Sequence, residues 1–335
     1  MPFIFGVIMS CYLEAKNLCY AYYKQPLCLK DVSFQLNKGE KMLVLGDEEM
    51  GKTTLLKTVS GFDDKFFGEV LFDGILVKNI IDRDKGFSII FEEPVLARGS
   101  VEKNIDLACD VLCTKKNKEE KVELLESFGF NEDLKTKVKK LSLANKLKLN
   151  FARIEIKQPR VLFVDDIFKD ISDSDFEELF GLFERICKDT TVIFACSNKT
   201  LKKHNQIINK FNADKVLYLN NAKGTLFNGF QEFIDKRVDL AVIGYTDEFK
   251  VIEGACFLQN GSYYFVDHTG LQVKLDKQFN EKLDKMKIDE IEGVDTVFVL
   301  NKEYNIDLAN NNDVNKALSD GKLELFFKLD GSRII

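Results

Sequence analysis

Runs of hydrophobic residues without polar alternation mark the central strands that the chain predicts. Three such runs are Met42–Leu45, Val161–Val164 and Thr191–Ala195, and continuous apolar runs are typical of parallel strands buried on both faces. Four apolar residues with helical spacing lie between the second and third runs: Phe176, Leu179, Phe180 and Phe183. A capping box at Ser174 and Glu177 is predicted to start that helix. Strands that alternate with helices indicate an α/β sheet.

The periodicity changes after about Asp239. A hairpin is predicted from Ala255–Gln259, the turn Asn260-Gly261 and Tyr263–Val266. Further short strands are predicted around Val273 and at Thr296–Leu300, Leu323–Lys328 and Ser332–Ile335. The pattern therefore predicts an α/β domain at residues 12–239 and a small antiparallel β domain, OB-like, at residues 240–335. Residues 1–11 are interpreted as a leader or an alternative start ahead of the first strand.

Composition narrows the functional classes. The 335 residues include 48 basic and 54 acidic side chains, a net charge of −6, so nucleic acid is excluded as a partner because nothing in this balance attracts a phosphate backbone. Eight scattered cysteines and two histidines fit a reducing cytoplasm better than a disulfide scaffold or a metal site. The longest apolar stretch, Pro2–Met9, is far shorter than the ~20 residues of a membrane-spanning helix.

A phosphate-binding loop is predicted between the first buried strand and the helix after it. Gly46-Asp-Glu-Glu-Met-Gly-Lys-Thr53 has the spacing GxxxxGKT, in which backbone N–H groups surround phosphate oxygens and the lysine reaches the β- and γ-phosphates. Asp165, at the end of the second buried strand, is the expected carboxylate on the Mg²⁺ side, with Thr53 as the other ligand. ATP and Mg²⁺ are the predicted cofactors, and the predicted phosphate contacts are Gly46, Gly51, Lys52, Thr53 and Thr54. The alternative is a glycine-rich turn that binds nothing.

The order of these landmarks resembles the ATP-binding subunit of ABC transporters over nearly the whole chain. Matching segments are Leu13–Leu18, Leu29–Phe34, Gly39-Glu40, Gly68–Gly74, Leu141-Ser142, Pro159–Asp165 and Ala213–Gly229. The resemblance implies a P-loop NTPase fold of the ABC type, a mixed sheet with a helical subdomain at about residues 95–155. It also implies that Tyr22 stacks on adenine and that Ser142, in the signature segment, hydrogen-bonds the γ-phosphate held by a second ATPase subunit.

Finer features are similar to the sugar importers of this family. Arg83-Asp84 leading to Ile90-Phe91 resembles the segment ahead of their Q-loop. The β domain has the placement of the regulatory domain of maltose-type ATPases. The resemblance therefore implies a carbohydrate importer with transmembrane permease subunits as partners, located peripherally on the cytoplasmic face of the cell membrane.

Several catalytic positions depart from the family pattern. Glu49 replaces a loop glycine and follows Asp47 and Glu48, Glu92 replaces the Q-loop glutamine, Asp166 the catalytic glutamate, and Ser197 the switch histidine. Leu143 and Ala144 replace the signature glycines, Ile167 the next proline and Ser172 the D-loop aspartate, while His204 is interpreted as a surface histidine. We expect three adjacent carboxylates to weaken nucleotide binding, unless all three point into water. Intrinsic hydrolysis is expected near background.

Two functions follow from this pattern. The first is an ATP-binding subunit of a bacterial ABC importer with weak or lost hydrolysis, paired with an intact second ATPase subunit. The alternative is a non-catalytic structural or regulatory protein whose ABC fold acts as a dimerisation module. The intact Lys52, Thr53 and Asp165 favour the first function, whereas the acidic loop and Ser197 favour the second.

Overall fold

The computed structural model describes residues 11–80, 86–204, 206–233, 242–245, 249–259, 262–267, 272–275, 294–301, 311–320, 323–329 and 333–334. The chain divides into two compact units, Met1–Phe227 and Asn228–Ile335. The predicted leader up to residue 10, Arg83-Asp84, the turn Asn260-Gly261 and the predicted boundary at Asp239 lie outside the described residues.

The described part of the first unit contains two β-sheets. Its strands are β1 (Leu13–Ala21), β2 (Leu27–Leu36), β3 (Lys41–Gly46), β4 (Phe67–Phe72), β5 (Ile75–Leu76), β6 (Phe87–Ile90), β7 (Val161–Asp165), β8 (Thr191–Ser197), β9 (Lys215–Asn220) and β10 (Lys223–Phe227). One sheet is antiparallel with the order β2-β1-β4-β5, and the other has the order β10-β9-β3-β8-β7-β6. In the second sheet β9, β3, β8, β7 and β6 are parallel, and β10 is antiparallel to β9. The three apolar runs are therefore its central strands, as predicted.

Helices cover this mixed sheet. They are α1 (Lys52–Val59), α2 (Val101–Val111), α3 (Lys118–Glu126), α4 (Leu143–Lys157), α5 (Asp173–Cys187), α6 (Asn198–Lys203) and α7 (Ile207–Phe211). The helices α2 and α3 both pack against α4, in the stretch between β6 and β7 where a helical subdomain is expected.

The start of α5 differs from the sequence prediction. Its N-cap is Ser172, whose hydroxyl accepts a hydrogen bond from the Asp175 backbone N–H at 3.3 Å. The predicted capping box at Ser174 and Glu177 is therefore wrong, because the extended backbone that a cap requires lies two residues earlier, at Ser172.

Phenylalanine supplies the large core side chains of the first unit, in a chain with 29 Phe and no Trp. Six buried rings pack together from the turn after β7, α5, β8 and α7: Phe168, Phe176, Phe180, Phe183, Phe194 and Phe211. The predicted apolar face of α5 is confirmed, since all four of its residues are buried. A second group of apolar residues packs α1 between the two sheets. The packing around Phe168 fixes the turn that directly follows Asp165.

The second unit contains a single antiparallel sheet among its described residues. Its strands are β11 (Val242–Tyr245), β12 (Phe249–Gln259), β13 (Ser262–Asp267), β14 (Gln272–Lys274), β15 (Val294–Asn301), β16 (Leu323–Leu329) and β17 (Arg333–Ile334), and the helix α8 spans Asn311–Ser319. The order is β14-β13-β12-β15-β16-β17, and β11 pairs with β12. The predicted hairpin pairs β12 with β13 through Gln259 and Ser262. An OB-like arrangement of this unit stays a prediction.

Candidate functional site

The loop between β3 and α1 has the backbone shape of a phosphate-binding loop. Gly46 and Gly51 both have positive φ angles, +152° and +87°. A Cβ atom on Gly46 would lie 2.5 Å from the Leu219 carbonyl oxygen, and one on Gly51 would lie 2.7 Å from the Cys28 carbonyl oxygen. Both positions therefore exclude any larger residue, and the loop backbone is held close to its neighbours.

Lys52 begins α1 and points back over the loop. Its Nζ donates a hydrogen bond to the Gly46 carbonyl oxygen at 2.8 Å and a second one to the Asp47 carbonyl oxygen. The side chain is buried, and this burial lowers the pKa of its ammonium group. The predicted phosphate-binding lysine therefore lies inside the loop, where its charge would act at close range on a bound phosphate.

The three carboxylates of the loop have different surroundings. The Asp47 carboxylate accepts a hydrogen bond from the Asn198 side-chain amide, whereas Glu48 and Glu49 line the cleft next to the loop. Glu49 has a φ of +64°, a left-handed conformation that glycine adopts freely. The sequence allowed two arrangements, with all three carboxylates facing the nucleotide or all three pointing into water. Neither holds for the whole stretch, because Glu48 and Glu49 line the cleft whereas Asp47 is hydrogen-bonded to Asn198.

Glu92, just after β6, is joined to the loop through a lysine. The Lys169 Nζ lies 2.9 Å from Glu92 Oε1 and 3.1 Å from Glu48 Oε1. These two carboxylates raise the pKa of the Lys169 ammonium group. Sequence reasoning missed Lys169, although a basic residue four positions after Asp165 was a signal that could have identified it.

The carboxyl end of β7 carries two adjacent buried aspartates. Burial raises the pKa of Asp165, while a hydrogen bond with the Thr53 side chain lowers it. Asp166 has a φ of +43°, and its backbone N–H donates to the Ala195 carbonyl oxygen at 2.9 Å. Its Oδ1 is buried and has no hydrogen-bond partner among the described residues. The strand end thus brings Asp165 to Thr53 as expected and leaves one Asp166 oxygen for a ligand.

Ser197 ends β8 and lines the same cleft. Its hydroxyl caps α6: it accepts from the Thr200 backbone N–H at 3.2 Å and lies 3.0 Å from Thr200 Oγ1. Asn198, which sequence reasoning also missed, follows it and bonds Asp47. A polar amide at the carboxyl end of a central strand was the available signal. Ser197, expected at the switch position, therefore starts a helix in this structure.

Tyr22 also lines this cleft. Its hydroxyl is 2.9 Å from Thr54 Oγ1, and its ring meets that of Tyr20 edge to face at 5.0 Å. The ring is 44% exposed. The cleft has a volume of about 680 Å³ and runs past Gly51, Lys52 and Thr53 to Asp165 and Asp166. The predicted base-contacting and phosphate-contacting residues thus share one cleft.

Ser142 is not part of this cleft among the described residues. It is the exposed N-cap of α4 and accepts a hydrogen bond from the Asn145 backbone N–H at 3.2 Å. Leu143 and Ala144 form the first turn of the helix and are half-buried. The signature segment therefore presents its serine away from the cleft of its own chain.

The prediction for His204 is wrong. The residue is 2% exposed, and its ring stacks on Phe176 with the centroids 4.2 Å apart. Its Nε2 lies 3.3 Å from the Ile171 carbonyl oxygen, and burial lowers its pKa. It follows α6 directly, and its ring packs against the phenylalanine core through Phe176.

Comparison of the sequence with known proteins finds relatives over the part of the chain that contains the phosphate loop and Asp165. The family model described as ABC transporter matches residues 29–169. The chain is 34% identical over 173 residues to the aliphatic sulfonates import ATP-binding protein SsuB of Bacillus cereus, covering 50% of this chain and 66% of SsuB. It is 27% identical over 222 residues to the spermidine/putrescine import ATP-binding protein PotA of Mycoplasma genitalium, covering 59% of this chain and 37% of PotA. The matched part thus spans less than two thirds of these relatives' length.

Solved structures show the same fold. The structure of cbiO1 from Clostridium perfringens, part of the ABC transporter complex cbiONQ, matches with a TM-score of 0.54 and 21% identity, covering 68% of this chain and 93% of cbiO1. Within the described residues, no helix combines the length and apolar character needed to cross a membrane. The first unit of this chain, with its phosphate loop, its aspartates on β7 and its three-helix insertion, is therefore similar to the ATP-binding domains of ABC transporters in its sequence over residues 29–169 and in its fold.

Proposed function

We propose that the chain is the ATP-binding subunit of a bacterial ABC importer that holds ATP with Mg²⁺ and hydrolyses it slowly by itself. One observation carries this proposal: a single cleft brings Tyr22, Lys52, Thr53 and Asp165 together. Each of these residue types has a distinct part in binding a nucleotide triphosphate, and the sequence spacing alone does not require them to meet.

The cleft fits this ligand on two counts. Gly46 and Gly51 leave the loop backbone unobstructed where a Cβ would collide with neighbouring carbonyls, which is the shape that lets N–H groups approach phosphate oxygens. Thr53 and Asp165 line the same cleft and would hold Mg²⁺, which favours such hard oxygen ligands. Bound Mg²⁺ would neutralise phosphate charge.

Slow hydrolysis is proposed from three residues that also line the cleft, Asp166, Ser197 and Glu92. The Asp166 carboxylate is one methylene shorter than a glutamate, and a shift of about 1 Å in a reacting group can reduce a rate about 100-fold. The Ser197 hydroxyl already accepts a hydrogen bond from the Thr200 backbone N–H. The carboxylate of Glu92 is paired with Lys169. These residues therefore hold and orient a nucleotide better than they activate water.

Nucleotide titration of the full-length chain tests this function. Calorimetry with Mg²⁺ and ATP should show one site, and Lys52→Ala should weaken it by about tenfold or more because it removes a charge-assisted hydrogen bond to phosphate. Lys139→Ala is the matched control, since Lys139 is exposed in the helical insertion. Phosphate release should stay near background. Failure of the unmodified chain to bind would reject the function.

Permease subunits are the proposed partners, and an apolar groove on the first unit suits them. The groove, about 290 Å³, lies between the end of β6 and α4. Its lining includes Phe62 and Phe91, whose rings meet edge to face at 5.7 Å, and Val95. Phe62 is 68% exposed. Apolar side chains of this size on a surface are typical of interaction sites.

A paired substitution tests this docking surface. Phe62→Asp should reduce recovery of the chain with the membrane fraction, because it places a charge in the apolar groove. Phe67→Asp changes an equally apolar residue, 81% exposed at the start of β4 and outside the groove lining, and should have no effect. Equal losses for the two variants would contradict the groove as the docking surface.

A carbohydrate is the substrate class proposed from the resemblance to sugar importers, and the chain would act on the cytoplasmic face of the membrane. The similarity to the import proteins SsuB and PotA supports the importer direction, but these relatives import aliphatic sulfonates and spermidine/putrescine. Uptake of labelled sugar, sulfonate and polyamine by cells with and without the gene separates the three classes.

An asymmetric pair with an intact second ATPase subunit is proposed as the assembly. Ser142 is exposed at the N-terminus of α4, where it would reach a phosphate held by the second subunit, whereas Asp166 serves the cleft of its own chain. Ser142→Ala should then lower the ATPase rate of the assembly more than Asp166→Asn. The reverse ranking would place the working site in this chain.

The second candidate function is a dimerisation module that binds no nucleotide. It is favoured by one observation, the presence of Glu48, Glu49 and Glu92 in the cleft that the triphosphate would occupy. Size-exclusion chromatography with and without MgATP separates the candidates. A dimer that forms equally well in both conditions, together with a flat calorimetric titration, would favour the module.

A further inference from the structure

Lys169 occupies a place in the cleft that the motifs do not explain. Three separate segments meet at its ammonium group: the turn after β7 that carries it, the phosphate loop through Glu48 at 3.1 Å, and the segment after β6 through Glu92 at 2.9 Å. The lysine side chain is 20% exposed, whereas the two carboxylates are 56% and 41% exposed. The cation is therefore more enclosed than its partners.

The charge of the cleft makes this cation important. Among the described residues, five carboxylates line the cleft, Glu48, Glu49, Glu92, Asp165 and Asp166, against two lysines, Lys52 and Lys169. The Lys52 ammonium already donates to two loop carbonyls. A nucleotide phosphate entering this cleft meets an excess of negative charge, and Lys169 is the other cation lining it.

The bonding capacity of Lys169 leaves room for a ligand. An ammonium group has three N–H donors, and the described structure supplies two acceptors to it, one oxygen each from Glu48 and Glu92. A terminal phosphate carries more charge than one carboxylate, so it competes well for such a donor.

The position of Lys169 along the cleft indicates which phosphate it meets. Tyr22 contacts Thr54 at the base end. Lys169 pairs with Glu92 and with Glu48 of the phosphate loop, and it lines the same cleft as the Mg²⁺-side Asp165. The lysine thus lies on the side of the cleft where the phosphate chain of a triphosphate would end.

We propose that Lys169 is a further nucleotide-binding residue, which donates to the terminal phosphate and makes the cleft select nucleoside triphosphates over diphosphates. The inference rests on the proposed nucleotide binding and adds a specificity-determining residue to it. The competing explanation is that Lys169 only joins Glu48 to Glu92 as a structural strut.

Titrations of the full-length chain with Mg²⁺ and either ADP or a non-hydrolysable ATP analogue test the proposal. Lys169→Met should weaken the triphosphate analogue about tenfold or more while changing ADP affinity only a few-fold. Lys169→Arg keeps the charge and should retain most of the selectivity. Lys139→Met, on the exposed helical insertion, should change neither affinity. Melting curves confirm that each variant is folded.

The same substitution in a second parent protein distinguishes a ligand-binding role of Lys169 from a purely structural one. In the double variant Glu48→Gln with Glu92→Gln, the carboxylates no longer need neutralising, so a strut has no remaining electrostatic role. Adding Lys169→Met there should still lower affinity for the triphosphate analogue about tenfold. An unchanged ratio of triphosphate to diphosphate affinity in either background would overturn the role of Lys169 alone. Absence of all nucleotide binding in the unmodified chain would overturn the proposed function as well.

Discussion

At the scale of single residues, Glu49 combines two costs in one side chain. Its φ of +64° is a conformation that only glycine adopts without steric strain, at about 1 kcal/mol for other residues. Its carboxylate also lines the cleft. Such strain persists in native proteins mainly at functional sites, and the phosphate loop is that site here.

Two substitutions separate the backbone strain of Glu49 from the effect of its charge. Glu49→Gln removes the charge but keeps the backbone strain, so nucleotide affinity should rise a few-fold, a modest gain because the side chain is exposed to solvent. Glu49→Gly should give the same gain in affinity and also raise the free energy of unfolding by about 1 kcal/mol. Chemical denaturation together with calorimetry measures both quantities. A glycine variant no more stable than the glutamine variant would contradict the strain.

Asp165 provides a prediction on pH. Burial raises its pKa, and the Asp166 and Glu92 charges raise it further. Because the folded state binds this proton more tightly than the unfolded state, its contribution to stability is greatest below the unfolded pKa of about 4 and falls as pH rises through the folded pKa. Asp165→Asn should therefore melt a few degrees higher than the unmodified chain without ligand, by more at about pH 8 than at about pH 4.5.

The same variant should lose Mg²⁺-dependent nucleotide binding, since an amide is a poor Mg²⁺ ligand compared with a carboxylate. Greater stability with less binding is the combination that a functional carboxylate in a buried site produces. A melting difference that is the same at both pH values would show that Asp165 is not the titrating group.

Residue identities were readable from the sequence, but many side-chain partners were not. The loop spacing located Lys52 and Thr53, because the phosphate-binding motif is local. The partner of Asp47 is 151 positions away at Asn198, and the burial of His204 depends on how α6 meets the phenylalanine core. Such partners follow from tertiary packing, which no spacing rule encodes.

At the scale of elements, the beginning of α6 gives a structural role to the residue at the position expected for a switch histidine. Ser197 is the N-cap of this six-residue helix, and its hydroxyl satisfies the Thr200 backbone N–H. It is 1% exposed, so a larger side chain has no space at this position. The helix in turn presents Asn198 to the phosphate loop.

Replacing Ser197 with histidine should therefore lower the stability of the protein. Ser197→His removes a cap, at about 0.5–2 kcal/mol, and overfills a buried site at about 1–3 kcal/mol, so the melting temperature should fall and ATPase activity should not rise. Ser197→Thr keeps a capping hydroxyl and should stay close to the unmodified chain in melting temperature. Activity gained by the histidine variant at unchanged stability would contradict this account.

Strands were more predictable than helix starts. The runs that became β3, β7 and β8 are apolar throughout because both sheet faces are covered, so the pattern is visible in sequence. The start of α5 moved from Ser174 to Ser172 because two serines and two aspartates offer competing caps within four residues. Local hydrogen bonds decide between such caps, and the sequence does not rank them.

At the scale of the whole molecule, charge predicts an unusual response to salt. The chain has a net charge of −6, and the cleft has more carboxylates than lysines among its described residues. Glu48, Glu49 and Glu92 are partly exposed, so salt screens their repulsion of phosphate, while the buried Lys52 is screened less.

Affinity for MgATP should therefore hold or rise a few-fold between about 0.05 M and about 0.3 M salt, because the Debye length shortens from more than 10 Å to less than 8 Å. The triple variant Glu48→Gln, Glu49→Gln and Glu92→Gln is the control, and its affinity should fall with salt. Calorimetry at four salt concentrations measures the slope. A steep fall for the unmodified chain would mean that attraction dominates the cleft.

The ion pairs of Lys169 also constrain how this sequence can change over generations. Losing the lysine alone leaves two neighbouring acids at 41% and 56% exposure without their shared cation. Changing Glu92 alone to glutamine leaves the Lys169 ammonium paired only with Glu48 of the phosphate loop. Each single step away from the present arrangement passes through a less favourable protein, so the three positions should be inherited as a block. Among near relatives, we expect Glu48, Glu92 and Lys169 to be present together or absent together, and sequencing a set of such genes would reveal whether they are.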